Sequence, residues 1–342
     1  MTLSVDLTPP KPDAPEIGGR LVEVAGLERR FRLPSHFLAR HKPVLHALNG
    51  VDVTINRGEA FCVVGESGCG KTTLGRIIMG LLDPSGGTIS YDGARIDRLS
   101  ESRRRAYRAR MQMVFQNPYA SLNPRRTVLE TLAEPVRALC PELKAEERKA
   151  RVQQVMAATG CDPAWLPRLP HEFSGGQRQR IAIARALVTE PEFIVADEPV
   201  SALDVSIQAQ ILNLMTELRR ARGLTYLFIT HDLGVVRHFG DRVAVMYLGQ
   251  VMELAPVAEI FARPRHPYTK LLLDSIPRLE GGSFDKPRPP TEPPNPMKTP
   301  VGCPFAPRCA LAVPKCRSIR PKLLPAGPAS VACHAVEENR AD

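Results

Sequence analysis

The 342-residue chain contains no run of about eighteen apolar residues, so the sequence predicts no membrane-spanning helix. Its opening stretch, MTLSVDLTPPKPDAPEIGG, is proline-rich and lacks the apolar core of a signal peptide. That stretch reads as a disordered lead-in, and the protein is expected in the cytoplasm. Aromatic residues make up only 5% of the chain, with a single tryptophan, Trp165. No long coiled coil and no nucleic-acid-binding module is recognisable. What is present is a hydrophobic content of 43%, enough for a sizeable core. A chain of this length implies two domains, or one large domain with an appendage.

The net charge is +10 and the isoelectric point about 9.4. Such a balance is compatible with nucleic acid, with an anionic membrane surface or with a generic basic surface. The densest run, Arg103-Arg104-Arg105 with Arg108 and Arg110, has only Tyr107 interleaved and reads as a solvated face. Of the eight cysteines, Cys62, Cys69, Cys140 and Cys161 are scattered. Cys303, Cys309, Cys316 and Cys333 gather at the C-terminal end, which in a cytosolic protein suggests a metal more than disulfides.

Chemistry is most legible at Gly65-Glu66-Ser67-Gly68-Cys69-Gly70-Lys71-Thr72, which fits the phosphate-binding pattern G-x-x-x-x-G-K-[ST]. The apolar Phe61-Cys62-Val63-Val64 before it reads as a buried strand. After it, Leu74, Ile77, Ile78 and Leu81 recur at helical spacing. Glycines let backbone N–H groups turn inward, and the helix start presents its positive dipole end to the same anion. Lys71 is expected to reach the outer phosphates of ATP, and the Thr72 hydroxyl to ligate Mg²⁺, with Thr73 next along the helix.

The surrounding chain reads as α/β. Val51, Val53 and Ile55 sit two apart and predict an antiparallel layer ahead of the loop; Thr88–Tyr91 returns as a short strand. Residues 98–165 are more helical, with Val152, Val155 and Met156 on one face of a helix from Glu146 to Thr159. Phe193–Ala196 and Tyr226–Ile229 read as buried strands, separated by a helix over 205–222. Residues 243–247 and 251–253 predict a hairpin across Leu248-Gly249-Gln250. Strands alternating with helices imply a mainly parallel sheet, whose chemistry gathers at the strands' carboxyl ends. The loop, Asp197-Glu198 and His231 each follow directly after a strand. Residues 277–302 hold eight prolines in 26 positions and read as an extended linker ahead of the cysteines.

Asp197 is placed as a second Mg²⁺-organising carboxylate. Glu198 is placed to orient and deprotonate an attacking water. Ser174-Gly175-Gly176-Gln177 opens a helix and makes another anion-binding N-terminus. One nucleotide does not need two cradles from one subunit, so this second cradle points to a nucleotide held by another subunit.

Taken together, the motifs resemble those of ATP-binding cassette (ABC) ATPases. Phe173–Gln177 is similar to the LSGGQ signature, with phenylalanine at the usual leucine. Gln116, in VFQNPYASLNP, resembles the Q-loop glutamine that reaches Mg²⁺ and senses a transmembrane partner. Ser201-Ala202-Leu203-Asp204 resembles the D-loop. His231 resembles the switch histidine that contacts the γ-phosphate. The resemblance covers roughly residues 21–262 and implies Phe31 as the aromatic against adenine, with Phe37 and His41 as alternatives. GESGCGKT, QNPYASLNP, VMYLGQVME and Arg265-His266-Pro267-Tyr268-Thr269 resemble the ATPases of oligopeptide/dipeptide importers. The insert before Leu45 looks more like their F-type subunit than their D-type. The spacing of the C-terminal cysteines lacks the C-x₂-C pairs of zinc ribbons. In that family the cysteine motif implies a [4Fe–4S] cluster; zinc is the runner-up and His334 a substitute ligand.

The resemblance therefore implies a P-loop NTPase fold: a mainly parallel sheet, an antiparallel β layer, a helical subdomain at about 98–180, and a Cys-rich extension over 303–342 after a segment over 263–302. It implies a peripheral ATPase at the cytoplasmic face of the inner membrane, powering peptide import. Its partners would be a second, D-type ATPase, two permease subunits and an external solute-binding protein, with no nucleic acid. Two alternatives stand beside it: a nucleic-acid-linked ABC-type ATPase with an iron–sulfur domain, and the same importer class moving nickel or another solute.

Overall fold

The computed structural model describes residues 18–32, 44–275 and 300–341. The expected tail up to residue 17, Phe37, His41 and residues 276–299 of the proline-rich linker lie outside the described residues.

In chain order the strands are β1 (Arg20–Arg32), β2 (Val44–Asn56), β3 (Ala60–Val64), β4 (Gly86–Tyr91), β5 (Ala94–Arg95), β6 (Met111–Val114), β7 (Phe193–Asp197), β8 (Thr225–Ile229), β9 (Arg242–Tyr247), β10 (Gln250–Pro256), β11 (Leu324–Ala326) and β12 (Ala329–Val331). The helices that matter below are α1 (Lys71–Ile78), α2 (Glu101–Arg110), α3 (Pro118–Ser121), α4 (Val128–Leu139), α5 (Ala145–Ala158), α6 (Gly175–Leu187), α7 (Val205–Arg222), α8 (Leu233–Phe239), α9 (Val257–Ala262) and α10 (Pro267–Asp274).

Two sheets form. The smaller is antiparallel, in the order β2-β1-β4-β5, as the alternation at Val51, Val53 and Ile55 predicts. The larger runs β11-β12-β10-β9-β3-β8-β7-β6. Its β9, β3, β8, β7 and β6 are mutually parallel, and every residue of β3, β7 and β8 is buried. Apolar runs of this kind belong to parallel strands covered on both faces. The two-residue period divides them. Cys62, Val64, Ile194, Ala196, Tyr226 and Phe228 face a layer built with α6, α7 and α8. Phe61, Val63, Phe193, Val195, Leu227 and Ile229 face the smaller sheet and α1. The P-loop helix is thus wedged between the two sheets.

Residues 118–187 form the helical region between β6 and β7. Val152, Val155 and Met156 are its buried face on α5, as predicted, and they join the core through α4 and α6. Leu81 departs from the sequence reading. Helix α1 ends at Ile78, Gly80 turns the chain at φ +65°, and Leu81 is left 51% exposed. The β9–β10 hairpin closes through Leu248 and Gly249, both at positive φ, the geometry whose twist matches paired strands.

The Cys-rich region was set apart in sequence by its prolines. Its strands β11 and β12 instead continue the large sheet, with Glu253 opposite Val331 and Leu254 opposite Ser330. The arginine run lies on α2, which buries none of its residues. Arg108 pairs with Glu101, Arg110 with Asp92 and Glu192, and Arg104 with Asp83. Much of this charge is spent on local pairs. No helix among the described residues is long and apolar enough to cross a membrane.

Candidate functional site

The loop after β3 has the shape its glycines demand. Gly65 lies at φ +151° and Gly70 at φ +105°. A Cβ on Gly65 would stand 2.1 Å from the Met246 carbonyl oxygen, and one on Gly70 2.4 Å from that of Ala47. No side chain fits at either place, and the backbone closes into a tight turn. The first bond of α1 runs from the Leu74 N–H to the Gly70 carbonyl at 2.9 Å. The N–H groups before it have no intrahelical acceptor and mark an anion-binding helix start. Lys71 is 5% exposed and curls into the loop, its Nζ donating to the Gly65 oxygen at 2.7 Å and the Glu66 oxygen at 3.0 Å. The Cys69 Sγ is 3.9 Å from the same nitrogen, and burial pushes the Cys69 thiol above its ordinary pKa. Behind the loop, the Gly249 N–H donates to the Cys69 carbonyl at 2.9 Å, tying the β9–β10 hairpin to it.

The end of β7 carries two carboxylates, Asp197 and Glu198, and the parallel β8 brings His231 to the same edge. The Thr72 hydroxyl donates to Asp197 Oδ1 at 2.8 Å. Asp197 is 2% exposed; burial raises its pKa, against the lowering effect of the Thr72 bond and of Arg76. An all-oxygen pair of this kind suits a small hard cation such as Mg²⁺. Glu198 sits at φ +46°, a left-handed backbone that a non-glycine residue adopts only where its surroundings force it. Its N–H donates to the Ile229 carbonyl at 2.9 Å, extending the β7–β8 ladder past the strand end. The strained turn aims the side chain across the edge. Glu198 Oε2 accepts from Gln116 Nε2 at 3.1 Å and lies 3.3 Å from His231 Nδ1. Glu198, Gln116 and His231, each on a different strand-to-helix connection, thus meet at one carboxylate oxygen. Gln116 touches Glu198, and no bond from it to Thr72 or Asp197 is present among the described residues.

The D-loop is anchored to the same turn. The Ser201 N–H and hydroxyl both donate to the Glu198 carbonyl, at 3.3 and 3.1 Å. Asp204 then caps α7 by position, and its carbonyl accepts from the Gln208 N–H at 2.8 Å.

The signature segment lies elsewhere. Ser174 is the N-cap of α6, its Oγ accepting from the Gln177 N–H at 3.3 Å while Gln177 Oε1 accepts from the Ser174 N–H at 2.9 Å. Phe173, 4% exposed, packs on Trp165 with ring centroids 5.2 Å apart. Gly175 lies against Leu203 and Gly176 against Ile207, where a Cβ would come within 2.7 Å of Ile207 Cγ2. No contact of Ser174–Gln177 with Gly65–Thr72 is present among the described residues. Phe31 is half-buried on β1 with the Arg29 guanidinium over its ring at 4.6 Å. It pairs with Leu45, two residues along β2 from the Ala47 carbonyl that abuts Gly70.

At the C-terminal end, the Cys303 thiol is pushed up to about 12 by burial, with smaller contributions from Cys333, Cys309 and Cys316. Cys309 and Cys333 are also raised by burial first, and each feels Cys316. The four thiols are thus close enough for their neighbours to raise the pKa of Cys303, Cys309 and Cys333, with burial the larger cause. Yet among the described residues no group of three or more His, Cys, Asp or Glu is arranged to hold a metal ion. The metal centre expected on Cys303, Cys309, Cys316 and Cys333 is therefore not seen as a formed ligand set among the described residues. His334 does not serve as the substitute: Nε2 meets the Ile319 oxygen at 3.0 Å and Nδ1 meets Glu337 at 3.3 Å.

Sequence reasoning missed one group at the loop. Arg308 donates to both carboxylate oxygens of Glu66, at 2.8 and 3.0 Å, and the Glu66 N–H donates to the Tyr268 hydroxyl at 2.9 Å. The partners stand 242 and 202 residues apart in the chain, so no local pattern could have paired them.

A phosphate loop, a hydroxyl–carboxylate pair and a second carboxylate beside a histidine, all at one edge of a parallel sheet, define an ATP-hydrolysing cassette. Comparison with known proteins agrees. The family model described as ABC transporter matches residues 48–201, and that for the oligopeptide/dipeptide transporter C-terminal region matches residues 252–316. The oligopeptide transport ATP-binding protein AppF of Bacillus subtilis (strain 168) is 47% identical over 319 residues, covering 92% of this chain and 97% of its own. OppF of Escherichia coli (strain K12), also an oligopeptide transport ATP-binding protein, is 43% identical over 323 residues, covering 93% and 96%. Among solved structures, a dimeric ATP-binding cassette in a post-hydrolysis state with ADP and phosphate aligns with TM-score 0.62 and 29% identity, covering 69% of this chain and 99% of that one. This chain belongs to the family of ATP-binding subunits of oligopeptide/dipeptide ABC transporters.

Proposed function

We propose that this chain hydrolyses ATP to drive import of di- or oligopeptides through membrane permease subunits, at the cytoplasmic face of the membrane. The observation that carries the reading is the meeting of Gln116 and His231 on the Glu198 carboxylate, beside the Thr72–Asp197 pair. Gly65, Ser67, Gly68, Cys69, Gly70, Lys71, Thr72 and Thr73 hold the phosphates, and Phe31 stacks on the base. Thr72 and Asp197, with Gln116, would hold Mg²⁺, which when bound would neutralise charge on the phosphates. Glu198 takes a proton from the attacking water, and His231 orients the γ-phosphate. The isolated position of Ser174–Gln177 supports a head-to-tail dimer, in which this segment and Asp204 close over the nucleotide of a second ATPase, of the D-type. Tyr119, three residues after Gln116 and 60% exposed, suits contact with a permease. An external solute-binding protein selects the cargo.

The decisive experiment is uptake by the assembled complex in proteoliposomes. ATP-dependent accumulation of a labelled peptide, competed by other peptides, is the expected result. Accumulation of nickel or another solute with peptide excluded would overturn the peptide assignment. Tight, steeply salt-dependent DNA or RNA binding without permeases would overturn the transport assignment.

The same reading includes a [4Fe–4S] cluster on Cys303, Cys309, Cys316 and Cys333, with zinc as the competing metal. Four cysteines within 31 residues, close enough for thiol to raise the pKa of thiol among them, support it, and metal binding supplies folding free energy that a short segment lacks. Anaerobically purified protein is expected to carry iron and visible thiolate-to-iron absorbance, both lost in Cys316→Ser. Zinc without iron would reassign the metal, and neither metal would remove the cluster.

A further inference from the structure

Two segments distant in sequence bond Glu66, the second residue of the phosphate loop, and a third packs against both. Arg308, one residue before Cys309, donates to both Glu66 carboxylate oxygens and reaches the Tyr247 hydroxyl at 3.3 Å. Its guanidinium lies 5.9 Å from the Tyr247 ring centroid and 5.7 Å from that of Phe305. Tyr268, fully buried at the start of α10, takes the Glu66 N–H. The three rings pack on one another: Tyr247 and Tyr268 at 4.6 Å, Tyr268 and Phe305 at 5.3 Å, Tyr247 and Phe305 at 5.5 Å. Tyr247 ends β9, directly after the Met246 carbonyl that presses on Gly65.

The segment Arg265–Thr269 is what fixes Tyr268. Glu253 on β10 accepts from the Arg265 and His266 N–H groups, both at 2.9 Å, and buried His266 Nδ1 accepts from the Tyr268 N–H at 3.0 Å. That arrangement needs a neutral imidazole, and burial holds the His266 pKa down at about 3.

Glu66 presents a problem for a phosphate loop. Its carbonyl holds the Lys71 ammonium at 3.0 Å, so a residue in direct contact with the expected phosphate-binding lysine also brings a negative charge to the loop. Left unpaired, a carboxylate on this loop opposes the binding of a triphosphate anion. We infer that Arg308 is a positioning residue for ATP: the C-terminal region reaches back to the loop, cancels the Glu66 charge and, with Tyr268, fixes the Glu66 backbone that aims Lys71. The Cys-rich region is therefore part of what makes this phosphate loop competent, not only an appendage to the sheet. The inference rests on reading Gly65–Thr72 as the ATP phosphate site.

The test is MgATP titration and steady-state hydrolysis with the full chain in its complex. Arg308→Gln is expected to weaken MgATP by about tenfold, the size of one uncompensated charge at a partly solvated site, and to raise KM with kcat changed less than about twofold. Arg308→Lys should recover part of the loss, since it restores charge without the flat, ring-stacked fork. Arg308→Gln combined with Glu66→Gln should return affinity to within about threefold of the parent, because the repelling charge is gone. Unchanged affinity in Arg308→Gln overturns the inference. So does a double variant as weak as Arg308→Gln alone with a lowered Tm, which assigns Arg308 to stability. Lys71→Ala separates the two readings. If it still binds MgATP, the phosphate-site reading fails; if it loses binding while Arg308→Gln binds normally, only the role of Arg308 fails.

Discussion

Replacing Glu198 with glutamine is expected to lower ATP turnover at this chain's site by about 10²–10⁴-fold, the usual contribution of a positioned general base. The exchange keeps the shape of the side chain and removes its basicity. Glu198 Oε2 accepts from Gln116 Nε2 and lies beside His231 Nδ1, and the side chain is only 15% exposed. An amide oxygen can still accept one of these bonds, so the residue stays in place. The backbone at φ +46° is set by the Ile229 and Ser201 bonds, which the exchange leaves intact. ATP binding, carried by the loop and the Thr72–Asp197 pair, should persist. With ATP bound and not cleaved, the closed dimer should accumulate, visible by size-exclusion chromatography in MgATP. Glu198→Asp, one methylene shorter, should stay well below the parent because the carboxylate no longer reaches the water. Turnover unchanged in Glu198→Gln at this site would take the base role from Glu198. Turnover lost together with ATP binding would place Glu198 among the binding groups.

How much of this was legible depends on the separation of the residues involved. The loop declares itself because glycine, lysine and threonine must stand at fixed spacing for one turn to cradle a phosphate. Asp197-Glu198 and His231 were legible for a different reason. Each ends a run of buried residues, and in a parallel sheet such runs must end on one edge. The juxtaposition of the Glu198 turn and the Ile229 carbonyl follows from that topology alone. Helical spacing over-reached at Leu81, since periodicity continues past the glycine that stops α1. Prolines misled at the C-terminus: they marked a break in sequence, but not that β11 and β12 return to β10. The packing of the Cys-rich region was not legible in its sequence. Nothing near Cys309 in the sequence says that its neighbour Arg308 faces Glu66. A charge pair across 242 residues is written in the fold.

Lys71→Ala is the second change with a large expected effect: MgATP affinity should fall by on the order of a hundredfold, about the value of one charge-assisted contact to phosphate in a desolvated loop. Lys71 is 5% exposed and already holds the Gly65 and Glu66 carbonyls. Those bonds fix the ammonium where the loop is narrowest, so little rotamer entropy remains to be lost when phosphate arrives. They also predict that Lys71→Arg will not rescue. The loop closes around a compact point charge, with the Met246 and Ala47 carbonyls against Gly65 and Gly70. A planar guanidinium needs a wider fork than this turn provides. Isothermal titration should therefore find both variants weak, while nucleotide-free Tm falls further in Lys71→Arg than in Lys71→Ala, because alanine leaves a gap and arginine forces the turn open. Binding within about threefold of the parent in Lys71→Ala would contradict the phosphate role. Rescue by arginine would mean that the loop widens on binding ATP. Its preset shape, and the grip of Tyr268 and Arg308 on Glu66, would then count for less than the geometry implies.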